Sequence, residues 1–163
     1  VGSSISDRLR PRRTITGMSA VLVPYTADGA IDWPAVEAHI ARTCAAGLVP
    51  AVNMDTGYVQ LLAEGDKQRV LDLASAVTGG DFVAGAYVAD RPGDLFDLDG
   101  YVRAASAIRE RGGTPVVFPS HGLNEGRDEH WIDALQAFSN VIDRFLGFEL
   151  GPMFVPYGRI VGL

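Results

Sequence analysis

Apolar residues fall into two alternating patterns along this chain. Five short stretches, residues 18–23, 50–54, 82–86, 114–118 and 145–149, are largely apolar and recur at intervals of roughly 32 residues. Runs of that length suit strands buried on both faces. Between them apolar residues follow a 3.6-residue period: Trp33, Val36, Ile40 and Cys44; Val70, Ala74 and Val77; Tyr101, Val102, Ala105 and Ile108; Trp131, Leu135, Phe138 and Ile142. Each set describes an amphipathic helix with one buried face. Asp32 with Pro34 can open the first helix and Gly47 can close it, while Gly79-Gly80 and Gly112-Gly113 follow the second and third.

The resulting order, five strands alternating with four helices, requires mostly parallel strands joined by right-handed crossovers. Two architectures meet that demand: a closed (β/α)8 TIM barrel and a doubly wound open sheet. Even spacing without a nucleotide-binding fingerprint favours the barrel, and a flavodoxin-like small-molecule-binding domain of five strands is the alternative. A complete barrel needs about 250 residues. The 163 residues of this chain therefore correspond to its first five strands and four helices, with an N-terminal arm at 1–16 and a single, incomplete barrel domain at 17–163.

Composition narrows the partners. A net charge of -6 argues against a nucleic-acid or anionic-membrane surface, since phosphate binding relies on clustered Lys and Arg. Arg8, Arg10, Arg12 and Arg13 in the arm read as a solvated segment or an oligomer contact. A single cysteine, Cys44, excludes an internal disulfide and fits a cytoplasmic setting. No apolar run reaches the length of a membrane span. A small-molecule partner is expected, with no cofactor and no resident metal.

In either architecture ligands bind where the strands end. Those ends hold Pro24 to Thr26, Asn53 to Tyr58, Tyr87 to Gly93 with the turn Asp90-Arg91-Pro92-Gly93, Pro119 to Asn124, and Glu149 to Tyr157. His39 and His130 are expected on helix surfaces, and Trp33 and Trp131 in helix-to-barrel packing.

The stretch 17–32, with Pro24-Tyr25 and the turn Asp28-Gly29, followed by a helix and Ala46-Gly47, resembles the opening of the dihydrodipicolinate synthase and N-acetylneuraminate lyase family of class I aldolases. That family carries Gly-Thr-Thr-Gly-Glu after its second strand and then a helix opening near Leu-Ser-x-x-Glu-Arg. This chain has Met54-Asp55-Thr56-Gly57-Tyr58 and then Leu62-Ala63-Glu64 onward at matching distance. The resemblance spans residues 17–163 and implies a carbon–carbon lyase or aldolase acting on a 2-oxo acid, assembled as a homo-oligomer, dimer or tetramer. It implies substrate binding by Asp55, Thr56, Gly57 and Tyr58, since a hydroxyl and loop N–H groups can hold a carboxylate.

The departures are specific. Asp55 places a carboxylate where the family binds one, and like charges repel. Ser120 and His121 stand where the synthases commonly have tyrosines, and Phe148 where the family's tyrosine relays protons. His121, Glu149 and Tyr157 are the candidate groups for proton transfer. The family's Schiff-base lysine lies on the sixth strand, beyond these residues. The only lysine of this chain, Lys67, falls among Asp66, Gln68 and Arg69 on a face expected to be solvated, where an ammonium keeps its proton and does not attack carbonyls. Two other classes stay open: a metal-dependent barrel using Asp55, His121 and Glu149 as ligands, and a non-catalytic binding or regulatory homologue.

Overall fold

The computed structural model describes Arg12 and residues 14–148. Strand β1 (Met18–Ala20) leads through helix α1 (Trp33–Ala45) to β2 (Val49–Val52), then through α2 (Glu64–Thr78) to β3 (Val83–Ala86) and through α3 (Leu98–Arg109) to β4 (Thr114–Val117). A single turn, α4 (His121–Asn124), precedes α5 (Asp128–Ser139) and β5 (Leu146–Gly147). The four expected amphipathic helices are α1, α2, α3 and α5, and α4 is additional.

All neighbouring strands pair in parallel, in the order β1-β2-β3-β4-β5. An open flavodoxin-like sheet reverses direction at its first strand and would show the order 2-1-3-4-5. Winding in one direction only is the barrel pattern, so this is half of a (β/α)8 barrel and the open-sheet alternative falls.

Local chemistry explains the helix limits. The Asp32 carboxylate accepts from Ala35 N at 3.0 Å and that of Asp97 from Gly100 N at 2.8 Å, so α1 and α3 begin on side-chain caps. Gly79 closes α2 at φ 68, with its N–H on the Ser75 carbonyl. Only a glycine adopts that left-handed geometry freely.

Alternation along the strands separates two apolar layers. Val52, Ala84, Ala86 and Val117 face outward and pack with Ile40, Val70, Tyr101 and Phe138 of the helices. Ala51, Val83, Val116 and Phe118 face the other way, with Tyr87, Leu146 and Phe148 against them. Ring contacts at 5.7 Å (Tyr87 to Phe118) and 5.6 Å (Phe118 to Phe148) make this inner layer aromatic. Emptying the outer layer at the fully buried Phe138 would cost about 3–5 kcal/mol.

The first strand is shorter than the run 18–23 suggests, although Val21 N still donates to Ala51 O at 2.9 Å. Val21 and Val23 are buried while Met18 and Leu22 are 48% and 52% exposed, because β1 has a neighbour on one side only among the described residues.

At Gly85 the chain has no room for a side chain, since a Cβ there would collide with the Asn53 carbonyl oxygen of the adjacent strand end. Gly85→Ala is expected to destabilise the fold by about 1–3 kcal/mol through overpacking. Urea unfolding would read this as a lower midpoint at unchanged slope, and an unaltered midpoint would show that the β2–β3 approach is not tight.

Candidate functional site

Parallel pairing brings the C-terminal strand ends to one rim, and two of its segments carry the polar chemistry. After β2 the backbone makes one 3-10 turn at Asp55–Gly57. Gly57 N and Val59 N both donate to Met54 O, at 3.0 and 3.3 Å, and Tyr58 closes the turn at φ 56 with its N–H on Asp55 O. Gly57 is buried where a Cβ would press on the Val21 carbonyl oxygen at 3.1 Å. Its N–H is thus used inside the turn, and its lack of a side chain lets the turn lie against Val21, just after β1. Thr56 and Tyr58 are exposed and Asp55 is half-buried, so the four residues singled out in the sequence form one compact turn with Thr56 at its surface.

The turn is anchored by a residue that the sequence placed on the rim without a role. Asn53 is 3% exposed, adopts φ 51, and donates from Nδ2 to Lys67 O at 3.2 Å. Its Oδ1 is buried without a hydrogen-bond partner. Asparagine tolerates the left-handed region better than most residues. Together with Lys67, Gln68, Tyr87, Asp97 and Arg103 it lines a cleft of about 520 Å³ between α2 and α3.

Lys67 does not lie on a solvated face. Its side chain is 19% exposed, with Nζ 3.6 Å from Glu64 and 5.2 Å from the centre of the Tyr87 ring. The long apolar stem lies along the protein while the ammonium finds a carboxylate and an aromatic face, which a charge-run reading misses. Trp33 packs on the outer core as expected and also carries the Arg69 guanidinium over its ring at 4.1 Å.

The second segment follows β4. Ser120 Oγ accepts from Leu123 N at 3.2 Å and opens α4. The Asp90 carboxylate, expected in a plain turn, reaches across from the loop after β3 and accepts from His121 N at 2.9 Å and Gly122 N at 2.7 Å. Glu125 completes the tie, with one oxygen 2.7 Å from His121 Nδ1 and the other accepting from Gly93 N at 2.8 Å. His130 is half-buried, and its Nε2 donates to the Gly122 carbonyl at 2.8 Å, because α5 packs directly on α4. Beneath them the Tyr101 hydroxyl donates to Phe118 O, and burial raises its pKa far above the ordinary tyrosine value. Tyr101 is therefore a fixed donor in the core. The Gly93 N–H, and after it the His121 ring, hold the Glu125 carboxyl below its ordinary range.

Glu149 and Tyr157 lie outside the described residues. Phe148 is half-buried in the inner aromatic layer and has no hydroxyl to relay a proton. Among the described residues no group of three His, Cys, Asp or Glu side chains is placed to hold a metal ion, and no helix is long and apolar enough to cross a membrane. Asp90 was placed on the rim by the sequence only as a turn residue, and Glu125 was missed; the i, i+4 spacing of His121 and Glu125 was the one available signal, and it needed α4 to be recognised as helical.

No protein-family profile matches the chain, and no curated protein matches it in sequence. Solved structures do match. A dihydrodipicolinate synthase from Agrobacterium tumefaciens is 20% identical at a TM-score of 0.69, covering 89% of this chain and 48% of that one. A dihydrodipicolinate synthase from Rhodopseudomonas palustris is 15% identical at 0.66, covering 86% and 46%. A variant of the 2-keto-3-deoxygluconate aldolase from Sulfolobus solfataricus is 17% identical at 0.59, covering 85% and 45%. The chain thus spans about half the length of the solved structures it matches, and the likeness at these identities is one of fold.

Asp90→Ala would strip α4 of two charge-assisted bonds and is expected to cost about 1.5–3 kcal/mol in urea unfolding. Glu125 supplies a pH signature. Because its folded pKa lies below the unfolded value, its stabilisation is present above the ordinary value of 4.5 and is lost as pH falls through the lowered one. Glu125→Gln should flatten the fall of stability as pH drops below about 4.5. Parallel acid limbs for both proteins would show that the Gly93 and His121 contacts do not form in solution.

Proposed function

We propose that these residues are the N-terminal half of a divergent carbon–carbon lyase of the dihydrodipicolinate synthase type, acting on a 2-oxo acid or related small anion. The Schiff-base lysine comes from the sixth strand of the same barrel, C-terminal to β5 and to residue 163. The observation that carries this reading is the placement of the Asp55–Gly57 turn at the end of β2, in a sheet wound strictly in order, on the same rim as His121. Barrels of this kind place their chemistry on that rim.

Thr56 offers an exposed hydroxyl to the substrate's anionic group. Half-buried Asp55 beside it opposes a carboxylate, so the substrate's anion sits towards Thr56 and away from Asp55, with a hydroxyl or other donor of the substrate facing Asp55. The pairing of Lys67 with Glu64 and its place in the α2–α3 cleft speak against its being the nucleophile. The protein works as a dimer or tetramer, in keeping with the exposed Tyr25, Tyr58 and Leu61 near the rim.

Borohydride reduction of the chain together with its natural continuation, in the presence of labelled pyruvate or 2-oxobutanoate, should fix label on one lysine, and Lys67→Arg should leave the labelling intact. Thr56→Ala is expected to weaken 2-oxo acid binding about tenfold, or about 1.4 kcal/mol, the worth of one hydrogen bond to a charged group. Absence of label on any lysine would remove the Schiff-base chemistry and leave a binding or regulatory barrel.

A further inference from the structure

Ala89 to Leu95, the middle of the loop between β3 and α3, crosses the rim beside α4 without packing into either apolar layer. Its one large apolar side chain, Leu95, is 86% exposed. We propose that this segment is a strap that opens and closes over α4 as one unit, fastened by the Asp90 and Glu125 carboxylates, while the barrel beneath it stays folded. The strap does not depend on the lyase reading above.

The two ends of the strap are pinned by apolar contacts. Val88 packs on the outer layer, and the Phe96 ring stacks on Tyr101 with centroids 5.2 Å apart. Between these pins the backbone bonds only to itself among the described residues, with Asp94 N donating to Arg91 O at 3.0 Å. Arg91 N donates in turn to the Asp94 carboxylate at 2.8 Å, so the tip is a closed turn that moves as a body. Hydrogen bonds from the strap to α4 and the residue that follows it run through carboxylates: Asp90 accepts from His121 N and Gly122 N, and Gly93 N donates to Glu125. The strap lies directly on α4, because a Cβ at Gly122 would come within 2.5 Å of the Leu95 carbonyl oxygen and 2.8 Å of Phe96 N.

Lifting the strap therefore exchanges three charge-assisted hydrogen bonds for bonds to water and gives up little apolar burial. Segments with few buried apolar contacts open at a free energy well below that of global unfolding. The two catches act together because the tip between Asp90 and Glu125's partner, Gly93, is stiffened by the Arg91–Asp94 turn. Opening uncovers Gly122 and Leu123, which are buried in the closed form, on the rim where a barrel receives its ligands. Loops that move at such rims gate the entry and release of ligands.

Amide hydrogen exchange, followed by NMR on the chain with its natural continuation at urea concentrations below the unfolding midpoint, tests this. The Gly93, His121 and Gly122 amides should exchange through one common opening that hardly depends on urea, since little surface is exposed. The amides of the buried Ala105 and Ile108 in α3 should exchange through global unfolding, with a steep dependence. Asp90→Ala should also raise exchange at Gly93, whose own bond goes to Glu125, by about 10–100-fold, and Glu125→Ala should do the same at His121 and Gly122. One steep urea dependence shared by strap and α3 amides overturns the proposal, because the segment then leaves only when the protein unfolds. A rise confined in each variant to the amides that lost their own partner also overturns it, because the two carboxylates then do not fasten a single unit.

Discussion

Everything in this half-barrel follows from the requirement that a parallel strand be covered on both faces. A parallel neighbour cannot be reached by a tight turn, so each strand must cross over through a helix, and the right-handed crossover lays that helix on the outer face of the sheet. Repetition of the step in one direction produces the order β1 to β5, an outer layer of strand and helix side chains around Tyr101 and Phe138, and an inner layer around Val116 and Phe118. It also gathers every strand end that carries chemistry onto one rim. The approach between β2 and β3 is close enough that Gly85 has to lack a side chain for the Asn53 carbonyl to pass.

On that rim, carboxylates serve as structural ties. Asp90 and Glu125 each use both oxygens, and between them they join the loop after β3 to the short helix after β4. Each partner is a backbone N–H or the His121 ring, so the ties satisfy donors that a four-residue helix leaves open. The loop after β2 is held differently, by the Asn53 amide on the Lys67 carbonyl and by the burial of Gly57 against β1. The two rim segments therefore rest on independent supports, and a change in one does not have to travel through the other.

The strand and helix order was legible because buried strands and one-sided helices leave different apolar periods in a sequence, and the caps at Asp32, Gly47 and Gly79 punctuate them. The Thr56-Gly57 turn was legible from its glycine, although Gly57 N–H turns out to serve the turn itself. What stayed hidden has a common cause. Helix α4 is too short to show a period, and the Asp90 caps join residues 31 and 32 positions apart. Lys67 reads as solvated because its charge says nothing about the route of its apolar stem. Asn53 is placed on the rim by the sequence, but its anchoring role leaves no cue, because a single left-handed residue at a strand end keeps the hydrophobic pattern intact.

The most direct test is a crystal structure of the chain with its natural continuation, reduced by borohydride in the presence of pyruvate. The expected result is a closed eight-stranded barrel with the continuation bridging β5 back to β1, and a lysine adduct whose carboxylate lies within hydrogen-bond reach of Thr56 on the same rim as His121. An open sheet, or an adduct whose carboxylate lies away from the Asp55–Gly57 turn, would contradict it.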